Sequence, residues 1–199
     1  MPKQPNPEFE IRGVNHLALT CRDMAKTVEF YRDVLGMPLT KTIDLPGGMG
    51  QHFFFDCGAG SSLAFFWWAD VPPAAPGIAS VKDFPREGKS AVGSMNHIAF
   101  DVAPEKFDEY CERLKAKGVK TSMVMNHDDS PHQVSREVHP GVFVRSVYFF
   151  DPDGACLEFA AWTRPMTDAD VAHDPMTAEG VKATGMIVKD AAPTLQPAE

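Results

Sequence analysis

A short phrase containing a histidine occurs twice: Val14-Asn15-His16-Leu17-Ala18-Leu19 returns 81 residues later as Met95-Asn96-His97-Ile98-Ala99-Phe100. Near the far end, Glu158 stands in the apolar run Cys156-Leu157-Glu158-Phe159-Ala160-Ala161. A buried carboxylate must be neutralised by a proton, a cation or a metal, because leaving it charged and unpaired is costly. Imidazole and carboxylate are ordinary ligands of divalent metals, so His16, His97 and Glu158 form a candidate metal set, with a hydrogen-bonded structural trio as the alternative. If the two halves pack about a pseudo-two-fold, the two imidazoles converge. The position equivalent to Glu158 in the first half is Ala64, which cannot bind a metal. Three ligands on one face of an octahedral ion leave three adjacent sites, the pattern of non-haem Fe(II) oxygen chemistry. Zinc with three protein ligands and a water is the other option.

The elements that must position these groups follow from period and punctuation. Val147–Phe150, the turn residues Asp151-Pro152-Asp153-Gly154 and the run from Cys156 to Ala161 read as a hairpin. Alternation puts Glu158 on one face with Ala160 and Trp162, and Leu157, Phe159 and Ala161 on the other. Tyr148 falls on the cavity face, where its phenol needs a polar partner. Upstream, a strand at 14–20 leads into a helix from Met24 to Leu35, N-capped by Asp23 and closed by Gly36, then strands near 38–44, 52–56 and 63–68. The second half repeats the plan: a helix from Pro104 to Lys117, a strand at Thr121–Met125, and a polar loop, Asn126–Pro140, carrying His127, His132 and His139 as a candidate lid. Aligning Phe54-Phe55-Asp56 with Phe149-Phe150-Asp151 points Phe53, Phe55, Phe66 and Trp68 into the cavity and turns His52 away from it.

The expected fold class is α+β, two paired βαβββ modules forming a curved mixed sheet around a metal-binding cavity. Residues 1–11 are expected to be mobile and 12–163 to form one domain, with modules 12–69 and 94–163 joined by a crossover loop, 70–93. Residues 164–199 read as a partly disordered tail, with a helical turn at Asp168–His173. The chain has 199 residues, 44% hydrophobic, with 14 Phe, enough for a sizeable core. A net charge of -8 without a basic stripe excludes nucleic acid as an expected partner. No apolar run reaches the roughly 18 residues of a membrane span. Four dispersed cysteines fit reduced thiols, and a cytoplasmic location is expected.

On these motifs the chain resembles the vicinal oxygen chelate superfamily of glyoxalase I, extradiol ring-cleavage dioxygenases and antibiotic-resistance proteins. The DPDG turn followed by Glu158 is common across that superfamily. His139, seven residues, then Val147-Tyr148-Phe149-Phe150-Asp151-Pro152-Asp153-Gly154 and Glu158 is similar to the extradiol signature. The resemblance implies iron held by His16, His97 and Glu158, with catalytic roles for Tyr148 and His139. It also implies a catechol-like or vicinal-oxygen substrate, O₂ and a homodimer or higher homo-oligomer. The expected activity is an Fe(II) extradiol dioxygenase, with Mn(II), Zn(II), Ni(II) or Co(II) as other metals. Two alternatives stand beside it, a glyoxalase- or epimerase-like lyase or isomerase, and a non-catalytic resistance protein that binds a small molecule. The acid/base histidine of ring-cleaving relatives has no counterpart, since Ser61 or Ser62 holds its place; His52 and the loop histidines are the candidates to substitute.

Overall fold

The computed structural model describes residues 14–70 and 95–173, with 175, 177–179, 181 and 183–185. The expectations for residues 1–11, for the crossover from 71 to 93 and for the last residues of the tail lie outside the described residues. Residues 6–164 form one compact unit, and Pro165–Glu199 belong to another. Of the latter, Asp168–Asp170 forms a short 3₁₀ turn, with the Thr167 amide and hydroxyl both donating to Asp170 Oδ2.

The first module starts with β1 (His16–Thr20), and Asp23 then accepts a hydrogen bond from the Lys26 amide at 3.2 Å to cap α1 (Met24–Val28). The helix runs on as a π-helical segment, Glu29–Val34, and stops at Gly36, whose positive φ of 76° suits a residue without Cβ. β2 (Leu39–Asp44), β3 (Gly50–Gly58) and β4 (Ser61–Trp68) complete a mixed sheet in the order β1-β4-β3-β2, with β1 parallel to β4. The second module has β5 (Ile98–Asp101), a 3₁₀ turn at Pro104–Lys106, α2 (Phe107–Ala116), β6 (Met125–His127), β7 (Val134–Ser135), β8 (Val144–Phe150) and β9 (Cys156–Trp162). Its sheet runs β5-β9-β8-β6-β7, with β5 parallel to β9. The strand expected at Thr121–Met125 is displaced. Thr121 makes a single bridge to Phe149, and continuous pairing begins only at Met125.

Both sheets turn one face to a common core. Phe55, Leu63 and Phe65 from the first sheet meet Val147, Phe149 and Leu157 from the second, together with Tyr31 of the π-helical segment and Phe107, Cys111 and Leu114 of α2. The four cysteines are free thiols. Polar ties join the modules: the Tyr31 hydroxyl donates to Asp151 Oδ2 at 3.0 Å, and the Arg22 amide to Asp153 Oδ2 at 3.0 Å. Asp151 also accepts from the amides of Asp153 and Ala155, so a residue read as simple turn chemistry closes its own turn and anchors the other module. Among the described residues no helix is long and apolar enough to cross a membrane.

Candidate metal centre

Strand pairing gives the repeat its register. Ala18 lies opposite Ala64 and Ala99 opposite Glu158, so the alanine and the carboxylate occupy one structural position. Phe54 is opposite Ala64 and Tyr148 opposite Glu158, which makes Phe54 the counterpart of Tyr148 and His52 that of Ser146. The Phe-Phe-Asp alignment is therefore wrong by one residue, and a one-residue slip exchanges the two faces of a strand. Phe55 is fully buried in the core and Phe53 packs against it, whereas His52 and Phe54 share the outer face with Phe66 and Trp68. The source of the error is the Phe-Phe-Asp match itself: Asp56 pairs with Ser62 as Phe150 pairs with Cys156, so both hairpins keep the same count, and matching the triplets shifts β3 alone by one residue.

His97 and Glu158 are brought together, with Nε2 2.9 Å from Oε2. His97 Nδ1 donates to Asn96 Oδ1 at 2.7 Å, which leaves a lone pair on Nε2 of the neutral ring. A lone pair and a carboxylate oxygen at that distance need a proton or a cation between them, and so the pair fits a metal. Burial pushes the Glu158 carboxyl upward, but the adjoining His97 and Ser146 side chains, with the nearby His127 ring, bring it below its ordinary range. The Tyr148 ring stands edge-on to His97 at 5.5 Å. Burial and the Glu158 charge push the Tyr148 phenol upward, so it keeps its proton at neutral pH. Ser146 Oγ is buried beside these groups without a well-formed hydrogen bond.

His16 has the same internal support, Nδ1 to Asn15 Oδ1 at 2.7 Å, but its neighbours are Phe54, at 5.7 Å between ring centroids, and His52. It does not join Glu158 within the chain, and among the described residues no three His, Cys, Asp or Glu side chains are arranged to hold a metal. The common core is the reason. Each sheet turns its inner face to that core and its histidine-bearing face away from it, so the imidazoles do not converge within one chain. His139 is also placed elsewhere. Its Nε2 donates to Asp128 Oδ2 at 3.0 Å and its Nδ1 accepts from the Gly141 amide at 3.1 Å, while Asp128 accepts from Ser130. Both imidazole nitrogens are thus engaged in closing the 126–141 segment, and a Cβ at residue 141 would meet the His139 ring at 2.9 Å. The loop histidine that acts on Glu158 is His127. A cavity of about 290 Å³ between the end of the π-helical segment and α2, lined by Val34, Met37, Asp56, Phe100, Tyr110 and Phe159 among others, lies on the core side and includes none of the candidate ligands.

Residues 13–159 match the Glyoxalase/Bleomycin resistance protein/Dioxygenase superfamily. The chain belongs to this superfamily. It is 26% identical over 153 residues to a metallothiol transferase FosB of Lysinibacillus sphaericus, covering 77% of this chain and 84% of the relative. It is 27% identical over 155 residues to the fosfomycin resistance protein FosX of Listeria monocytogenes, covering 77% and 92%. Among solved structures it is similar to SMU.1112c, with a TM-score of 0.53 and 27% identity over 75% of this chain and 98% of that one. These superfamily relatives correct the extradiol dioxygenase expectation, and with it oxidoreductase activity, O₂ as co-substrate and aromatic ring degradation, because they carry transferase and antibiotic-resistance names. The structure gives a residue-level reason as well: the signature spacing from His139 to Tyr148 is present, but His139 is taken up by Asp128.

Proposed function

We propose that this chain is a metal-dependent enzyme that directs a nucleophile, a thiol in the first instance, onto a small substrate bearing neighbouring oxygens. The carrying observation is the acceptor-to-acceptor approach of His97 and Glu158, with the His97 tautomer fixed by Asn96. Bound there, a divalent cation supplies Lewis-acid polarisation of the substrate oxygens. The two nitrogens and one oxygen of the proposed set suit Mn(II), Fe(II), Zn(II), Ni(II) or Co(II). The third ligand in this reading is His16 of a second copy. Each chain has one His–Glu pair lacking a third donor and one supported His whose own module offers only Ala64, so two copies related by a two-fold complete two sites. β1 is exposed along most of its length, as such an exchange requires.

The chain's own groups then divide the work. Asn15 and Asn96 orient the imidazoles, and the protonated Tyr148 donates a hydrogen bond to a substrate oxygen on the face it shares with Glu158. The Ser146 hydroxyl, without a well-formed partner of its own, is the second donor. The names of the FosB and FosX relatives support a thiol as nucleophile and an epoxide as the group it attacks, with fosfomycin as the minimal probe of that chemistry.

The test is anaerobic reconstitution of the full chain with each of the five metals and elemental analysis, followed by thiol consumption with fosfomycin and small epoxides. The expected result is metal-dependent thiol loss that Glu158→Gln lowers about a hundredfold. Isomerisation of a 2-oxoaldehyde thiol adduct without net thiol loss would move the protein to the lyase and isomerase class. Metal-loaded protein that binds but never turns over would make it a sequestering protein.

A further inference from the structure

We infer that the substrate of this site carries a flat, unsaturated body that lies across a row of ring edges on the first module's sheet. His52 and Phe66 stack with centroids 3.6 Å apart and planes within 13°, and Phe66 and Trp68 stack at 4.9 Å and 4°. Phe54 closes the row at 4.3 Å from His52. Rings that stack on one another cover each other's faces, so the surface they turn outward is made of edges. Aromatic edges carry the positive end of the ring quadrupole and attract the negative face of a π system laid across them.

Three further observations tie this row to the site. It rises from the face that bears His16, whose ring meets Phe54 edge-on. Its rings are only half-buried, although their size would let them fill a core. The row also encloses a polar atom, His52 Nε2, without a hydrogen-bond partner. The second module has Ser146 and Ala160 where the first has His52 and Phe66, so the row belongs to the module that lacks the carboxylate. The inference rests on the two-copy site for what lies opposite the row, a second copy's His97 and Glu158. It adds the shape and unsaturation of what they act on.

Calorimetric titration of the full chain with 2-naphthol and with decahydro-2-naphthol tests this, because the two alcohols have similar size and neither chelates a metal. The aromatic alcohol is expected to bind roughly tenfold tighter, the scale of one or two edge-to-face contacts, and Phe66→Leu or Trp68→Leu to cut that preference below about twofold. In NMR spectra the His52 ring protons should shift on adding 2-naphthol, while those of His139 stay in place. If metal fails to bind but the preference persists, only the metal-enzyme reading falls; if metal binds and the preference is absent, only the present inference is overturned. Equal affinity for the two alcohols, or no binding of either, overturns it. So does a Phe66→Leu chain that changes oligomeric state where the native chain shows no preference, which would assign the row to the contact between copies.

Discussion

Asn15 and Asn96 decide which nitrogen their histidines offer. Each accepts from the Nδ1 of the next residue and so presents Nε2 outward with its lone pair. Outer partners of this kind commonly account for tenfold to a hundredfold in metal affinity. Asn96→Ala is therefore expected to weaken metal binding by about that factor while leaving the far-UV spectrum unchanged, as measured by competition with a chromophoric chelator. An unchanged affinity would mean that ring orientation comes from packing alone. Glu158 and the two histidines stand out in the sequence because a carboxylate in an apolar run and a histidine at the same place in two repeats both break a pattern; within the chain the structure pairs only His97 with Glu158. The asparagines break none, since a small polar residue at the start of a strand is ordinary. The available signal was that the dipeptide Asn-His, and not His alone, is what repeats.

At the level of elements, the helices, their caps and most strands followed from period and turn residues. Facing in β3 did not. The Phe-Phe-Asp triplet that suggests its facing recurs one residue out of step, whereas counting back through two hairpins of equal length puts His52 at the place of Ser146, on the outer face. Fitting α2 to its sheet depends on Arg145 of β8. Its guanidinium bonds both oxygens of Asp108, at 2.7 and 3.1 Å, reaches Asn126 of β6, and covers the Phe107 ring. Hydrogen bonds from Arg145, opposed by a smaller desolvation, hold the Asp108 carboxyl below its usual range. A depressed carboxyl stabilises the fold above its unfolded pKa, near 4, and loses that contribution as pH falls through the folded value. Asp108→Asn should then be less stable than the native chain at neutral pH, and the difference should vanish below about pH 3 in urea melts. A gap that stays constant with pH would exclude the ion pair as its source.

For the whole molecule, the common core sets what one chain can do. The Tyr31 hydroxyl is fully buried against Asp151, and Tyr31→Phe leaves that carboxylate one donor short inside the interface. A loss of about 1–3 kcal/mol of unfolding free energy is expected by denaturant titration. Burial, partly offset by the Ala155 amide and the Tyr31 hydroxyl, pushes the Asp151 carboxyl upward. Its contribution therefore runs opposite to that of Asp108: it favours the fold most in acid and fades as pH rises through the folded value. The two-copy site makes a separate prediction. His16→Ala and Glu158→Ala chains should each fail to bind metal, yet a mixed assembly made by unfolding and refolding them together should regain one intact site per pair. No recovery, with mixed assemblies confirmed by mass spectrometry, would return all three ligands to a single chain or remove His16 from the set.

Ala64 in the place of a carboxylate has one more consequence, which concerns quantity and not geometry. A chain that must borrow a donor from its neighbour holds metal only while it has one, so occupancy becomes a function of protein concentration as well as of free metal. Dilution at constant metal activity should empty the site, and added metal should in turn pull separated chains together. In the proposed two-copy site the cation would then serve as a crosslinker, and a protein too scarce to pair would be inactive however much metal surrounded it.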